Sequence, residues 1–230
     1  MLVTTEDWQA LMLTAKLAAA TTGILLVVAT PLAYWLARSQ SRLRALVASL
    51  VSLPLVLPPT VLGFYLLMAM GPDGVLGRLA ELLGLGSLAF SFSGLLIGSV
   101  LYSLPFVMQP LHAAMAGIEP EVLESAAVLG AGPLDRFFSI VLPLSSHGYR
   151  MAAMLGFAHT VGEFGVILMI GGNIPGETKV MSVQLYDHVE ALRYGQAHGL
   201  AGLLVAFAMI VLLFINSGQR LGWSRAGSGR

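Results

Sequence analysis

Residues 17–37, 45–72, 82–118 and 194–219 contain no Asp, Glu, Lys or Arg, and 151–176 is interrupted only by Glu163. Each run meets the requirement of about 20 apolar residues for a helix that crosses the hydrocarbon of a bilayer. Within lipid, every backbone N–H and C=O must be paired inside its own segment or inside a closed barrel. Runs of this length, without the ten-residue alternation of barrel strands, predict helices. The expected fold is an all-α membrane protein, a polytopic bundle of about five transmembrane helices near 11–37, 46–70, 91–113, 145–171 and 197–217. The first run is too long for a signal peptide and begins with Glu6 and Asp7 rather than a basic segment, so it reads as a retained helix.

Composition narrows the function. Only 10% of the 230 residues are charged, against about 25% in an ordinary soluble domain, and mean hydropathy is +0.83. Twelve basic and twelve acidic residues leave no net charge, which excludes a nucleic-acid binder working through a basic face. Without cysteine there is no thiolate nucleophile or thiolate metal site. The five histidines lack ligand spacing, and no phosphate-binding glycine loop with its lysine is present. No metal, cofactor or catalytic residue is therefore expected, and the chain has no nucleotide site of the usual kind.

Basic residues set an orientation. Arg38, Arg42, Arg44, Arg136, Arg150, Arg220, Arg225 and Arg230 fall on one side of the predicted spans, against Lys16, Arg78, Lys179 and Arg193 on the other. The positive-inside rule puts the first group in the cytoplasm, with the N-terminus outside and the C-terminus inside. Pro31, Pro54, Pro58, Pro59, Pro105 and Pro110 lie in or beside apolar runs and tend to kink them. The pairs Gly94/Gly98, Ala152/Gly156 and Ala158/Gly162 are spaced to let helix backbones approach.

The predicted cytoplasmic loop, about 117–143, carries more structure than a linker needs. Pro120 suits the first position of a helix, and Glu121 and Glu124 complement its dipole. Gly130, Gly132 and Pro133 stop that helix, and a second short one is expected from Pro133 to Val141, ended by Pro143. Leu123, Leu129, Phe137 and Phe138 add apolar surface to this knob.

Glu124-Ser-Ala126-Ala127, then Gly130, then Ile140-Val-Leu-Pro143 resembles the coupling loop of ABC importer permeases, with nine residues between the glycine and the isoleucine. Leu53-Pro-Leu-Val-Leu-Pro58-Pro59, His159-Thr-Val-Gly-Glu163-Phe-Gly165 and Gly172-Asn-Ile-Pro-Gly-Glu-Thr178 are similar to the molybdate/sulfate/tungstate branch of that family, a likeness that covers about 8–217. His159 departs from it, standing where similar proteins often carry Arg. The resemblance implies one transmembrane permease domain over 1–230, without its own ATPase site, acting as a homodimer in membrane lipid of the bacterial inner membrane. Implied partners are an ABC ATP-binding subunit, docked on the loop through Glu124, Ala126, Ala127, Gly130 and Pro143, and an extracytoplasmic molybdate-binding protein. The expected cargo is molybdate, with sulfate or tungstate as alternatives.

Pathway or gating candidates are Glu163, His159, Pro58 and Pro59. Glu163 is the one carboxylate within an apolar span, and intramembrane carboxylates are functional candidates by default. His159 lies one turn before it at i−4 and Thr160 at i−3, both able to meet its side chain. A carboxylate facing a dianion would repel it, which favours a gating or structural role over substrate contact. A proton-coupled secondary transporter using Glu163 and His159 is the rival reading; no inverted repeat supports it. In the outer segment, Val183, Tyr186 and Val189 predict an amphipathic helix, and Asp187, His188 and Glu190 read as a solvated face.

Overall fold

The computed structural model describes residues 4–84 and 86–226, with side chains through residue 215; the side chains of Arg220 and Arg225, and all of Arg230, lie outside the described residues. Among these the chain is helical throughout, without strands. Helix α1 (Thr5–Arg38) starts on a capping box in which Thr4 accepts from the Asp7 amide and Asp7 accepts from the Thr4 amide, satisfying two donors a helix start leaves open. After it come α2 (Leu43–Ser52), a 3₁₀ turn (Leu53–Leu55), α3 (Pro59–Met70), the short α4 (Val75–Leu82) and α5 (Phe92–Ala116). The loop contributes α6 (Pro120–Val128) and α7 (Pro133–Arg136). A π-helical turn (Phe137–Val141) and α8 (Leu142–Leu144) lead into α9 (Ser146–Gly162), followed by α10 (Gly165–Gly171), α11 (Met181–Glu190) and α12 (Tyr194–Ala226).

Among the described residues there are three to five candidate spans, five when each of two bent helix pairs is taken as one. Helices α1, α5 and α12 are each long and apolar enough to cross a bilayer. The segments Leu43–Leu55 and Pro59–Met70 form a candidate span bent by 107°, and α9 with α10 one bent by 59°. The helices expected at 46–70 and 145–171 are thus each interrupted, the first at the prolines expected to kink it and the second between Gly162 and Gly165. Prolines are not decisive alone: α1 runs through Pro31, and α5 through Pro105 and Pro110, without interruption. A helix ends where several prolines and a turn coincide, as at Pro54, Pro58 and Pro59.

The centre is a three-helix contact of α1, α5 and α9. Leu25, Ala29 and Ala33 of α1 pack with Val107, Met108, Leu111 and Met115 of α5 and Ala152 of α9. A second cluster joins Leu17, Leu95, Val166, Ile167 and Ile170 at the other end of the bundle. Lipid tails are as apolar as leucine, so close van der Waals packing rather than the hydrophobic effect holds these helices. Small residues make that possible. A Cβ on Gly156 would strike Val107, and one on Gly98 would strike Ile170; by contrast Gly162 of the third pair faces open space. Helix α12 leaves Val205, Met209, Ile210, Leu212, Leu213 and Phe214 exposed, as a lipid-facing helix does.

Candidate functional site

Two regions carry the residues singled out above. The first is the loop. Arg38 at the end of α1 donates to the carbonyls of Met115, in the last turn of α5, and of Ile118 just beyond it. Leu123 is buried against the core from the inner face of α6, while Glu124, Ala127 and Gly130 are exposed and Ala126 is half-buried. Gly130 adopts φ +92°, a left-handed conformation that costs a residue with a Cβ, and it turns the chain between the two short helices. The Arg136 guanidinium reaches the Leu123 carbonyl and ties α7 to α6. Around the turn Val128 and Leu129 are each 88% exposed, and Leu134 and Phe138 also lie open.

Pro143 does not end the second helix. It sits on the first turn of α8, where it needs no amide partner, and the helical path continues from Pro133 to Gly162 with a π turn and a short break at Ser145. It is exposed and stands apart from the Glu124–Gly130 turn along this path.

The second region is the break between α9 and α10. Helix α9 stops at Gly162, and Glu163 takes extended backbone angles, φ −67° and ψ 131°. Its side chain is turned back onto the next helix, where Oε1 accepts from the Val166 amide at 2.9 Å. The carboxylate is 5% exposed and thus serves as a buried cap for α10. The Glu163 carbonyl, freed by the break, accepts from the Ser182 hydroxyl of α11. Pro59 packs against the same break: a Cβ on Gly165 would lie 2.6 Å from the Pro59 Cβ. Pro58 beside it is exposed.

His159 and Thr160 do not meet the Glu163 side chain, because the helix ends before the spacing can place them on one face. Instead His159 Nδ1 lies 2.9 Å from Ser103 Oγ, and its ring stacks on Phe106 with centroids 3.7 Å apart and 24° between planes. Tyr102 lies at 5.0 Å. Nothing in the sequence pattern distinguishes Ser103 from other membrane serines; only its place across from His159 does.

The outer segment departs furthest from expectation. Helix α11 forms, but His188 is 1% exposed rather than solvated. Its Nε2 lies 2.8 Å from Asp7 Oδ1, and Gln184 Nε2 donates to the same oxygen at 2.9 Å. Asp187 pairs instead with Lys179 at 2.7 Å and accepts from Asn173. Helical periodicity locates α11 but cannot show that its histidine faces the start of α1, 181 residues away. Among the described residues no cluster of three or more His, Asp or Glu side chains is placed to hold a metal.

Residues 29–220 match the model of the family described as binding-protein-dependent transport system inner membrane component. The molybdenum transport system permease protein ModB of Azotobacter vinelandii is 57% identical over 94% of this chain and 95% of its own length. Its counterpart in Escherichia coli K12 is 35% identical over 99% and 100%. The sulfate transport system permease protein CysT of Synechococcus elongatus is 32% identical over 92% of this chain and 74% of its own. The fold matches a crystal structure of a bacterial ABC transporter involved in alginate import, with TM-score 0.74 over 95% of this chain and 80% of that one at 20% identity. Family match, relatives and fold agree: the chain belongs to the binding-protein-dependent transport system inner membrane components, as a multi-pass permease.

Proposed function

We propose that this chain is the permease subunit of an ATP-driven importer that carries molybdate across the bacterial inner membrane. The observation that carries the reading is the 57% identity, end to end, to a molybdenum transport permease. The subunit forms one permease domain over 1–230 and works as a homodimer with the pathway between two copies. Its N-terminus lies outside and its C-terminus in the cytoplasm, as the distribution of basic residues implies. An extracytoplasmic binding protein delivers the anion, and a separate ATP-binding subunit supplies the hydrolysis.

The loop 117–143 is the coupling element. Val128, Leu129 and Leu134 form an apolar tip outside the lipid, covered by none of the described residues. Exposed apolar surface of this kind marks a protein contact. Glu124, Ala126, Ala127 and Gly130 shape that tip for the ATP-binding subunit, and Pro143 sets the helical path that carries its movement to α9. Closure of the ATP-binding subunits then moves α9 and the break at Glu163. Glu163, and Pro59 where it meets the same break at Gly165, act as the gate, with Pro58 at its edge and His159 on the pathway wall.

Molybdate uptake into proteoliposomes holding this chain, an ATP-binding partner and a loaded binding protein tests the proposal. ATPase stimulation by loaded binding protein, abolished by Glu124→Arg or Gly130→Asp, is the expected result. Stimulation by sulfate-loaded but not molybdate-loaded protein reassigns the cargo. Gradient-driven uptake without any ATP-binding subunit overturns the importer.

A further inference from the structure

Polar contacts around His159 fix where its proton sits. Thr160 Oγ1 lies 2.9 Å from the Gly156 carbonyl, an oxygen that can only accept, so the threonine hydroxyl spends its single proton there. Ser103 Oγ lies 3.1 Å from Thr160 Oγ1, which is left to accept the serine proton. Ser103 Oγ is then the acceptor for His159 Nδ1 at 2.9 Å. The chain of donors runs His159 Nδ1–H to Ser103, Ser103 to Thr160, Thr160 to Gly156. A neutral imidazole carries one N–H, so its Nε2 holds a lone pair.

Among the described residues that nitrogen meets no hydrogen-bond partner, and it is not sealed away from solvent. His159 is half-buried, on the open side of a contact whose α5 face continues through Tyr102, Phe106 and exposed Gln109, at helical spacing. Accessible imidazole and amide groups at membrane depth face a water-filled path or another protein surface rather than lipid. We propose that His159, held by Ser103 and Thr160 as its Nδ1–H tautomer, presents an unprotonated Nε2 to the transport pathway and offers the passing oxyanion a donor only when that nitrogen takes up a proton. This rests on the reading of the chain as an oxyanion permease.

Neighbouring ionisable groups leave that role to His159. Tyr102 lies beside its ring, and Glu163, four residues on, is committed to Val166. On α1, Lys16 lies over the Phe92 ring and Arg38 is spent on the Met115 and Ile118 carbonyls. On α11, His188 pairs with Asp7, Asp187 with Lys179, and Glu190 accepts from Tyr186. On α12, Tyr194 and His198 are exposed at the opposite end of that helix from its apolar stretch. A dianion in the path and a proton on Nε2 stabilise one another, so acidification favours passage.

Two measurements on the complete transporter in proteoliposomes, with its ATP-binding subunit and molybdate-loaded binding protein, test this. In ¹⁵N-histidine spectra, His159, assigned by its loss in His159→Gln, is expected as the Nδ1–H tautomer; an Nε2–H tautomer overturns the proposal. Initial molybdate uptake is expected to rise about three-fold or more from about pH 7 to about pH 5. His159→Arg, a donor at every pH, flattens the rise, and Ser103→Ala, which frees Nδ1, raises the relative rate at the alkaline end. An equal rise in wild type and His159→Gln overturns the proposal while leaving the importer intact. Absence of molybdate uptake by the wild-type complex, with a partner shown to be competent, overturns the importer reading itself.

Discussion

Two candidate spans of this bundle are bent pairs of helices, and they are broken by different means. The first bends by 107° where Pro54, Pro58 and Pro59 remove amide donors, and no side chain caps α3. The second bends by 59° with no proline. It holds because Glu163 caps α10 and because Ser182 takes up the carbonyl that the break leaves free. The proline break is written into the local backbone and needs no partner. The carboxylate break depends on tertiary contacts, so it is the one that a change elsewhere in the molecule can reset. Pro59 against Gly165 joins the two, so neither bend is free to change alone.

Substitutions can separate these two kinds of break, and the largest effect is expected furthest from either. Asp7 holds α11, and α11 holds the Glu163 carbonyl through Ser182. Asp7→Leu leaves buried Gln184 and His188 without their shared acceptor, at about 3 kcal/mol, the order seen when one member of a buried polar pair is removed. Thermal unfolding of the purified protein in detergent checks the figure. A fall under about 1 kcal/mol would mean that α11 is held by packing alone.

Gly165→Val comes next. A side chain there collides with Pro59, and overpacking of this kind costs about 1–3 kcal/mol. If Pro59→Gly, which removes the colliding Cβ, restores the midpoint in the double variant, the two breaks are coupled through this contact; additive effects would separate them. Glu163→Ala removes the cap and leaves the Val166 amide unpaired, about 1–2 kcal/mol. Glu163→Gln keeps an acceptor oxygen and should cost less than about 1 kcal/mol, so a large loss in the Gln variant would show that the carboxylate's charge, not its hydrogen bond, matters. Pro58→Ala, at an exposed position before α3, is the smallest, within about 1 kcal/mol by denaturant titration. A proline-made bend that loses much more than this would no longer be locally encoded.

The same contrast explains what could be read from the chain beforehand. Apolar runs locate all the candidate spans, because the bilayer imposes a length and a polarity that any crossing segment must satisfy. The 107° bend was foreshadowed by its prolines. The 59° bend was not, because Gly162, Glu163, Phe164 and Gly165 are compatible with a continuing helix, and only the contacts with α11 and α3 make the break the better arrangement. His188 was misplaced for a related reason: periodicity reports which residues share a face, not what that face meets. In the loop, glycine and proline punctuation marked α6 and the turn at Gly130, whereas Pro143 looked like a stop and proved to be a first-turn proline.

The Arg38 contacts have a mechanical consequence. A guanidinium fixed to the carbonyls of Met115 and Ile118 clamps the root of the loop to the end of α1. Because these acceptors flank Gly117, the chain cannot flex there without breaking both bonds. Strain applied at the tip of the loop is therefore not dissipated at its base, and α1 and α5 take it up as one stiff lever, with the compliance left to the turn at Gly130.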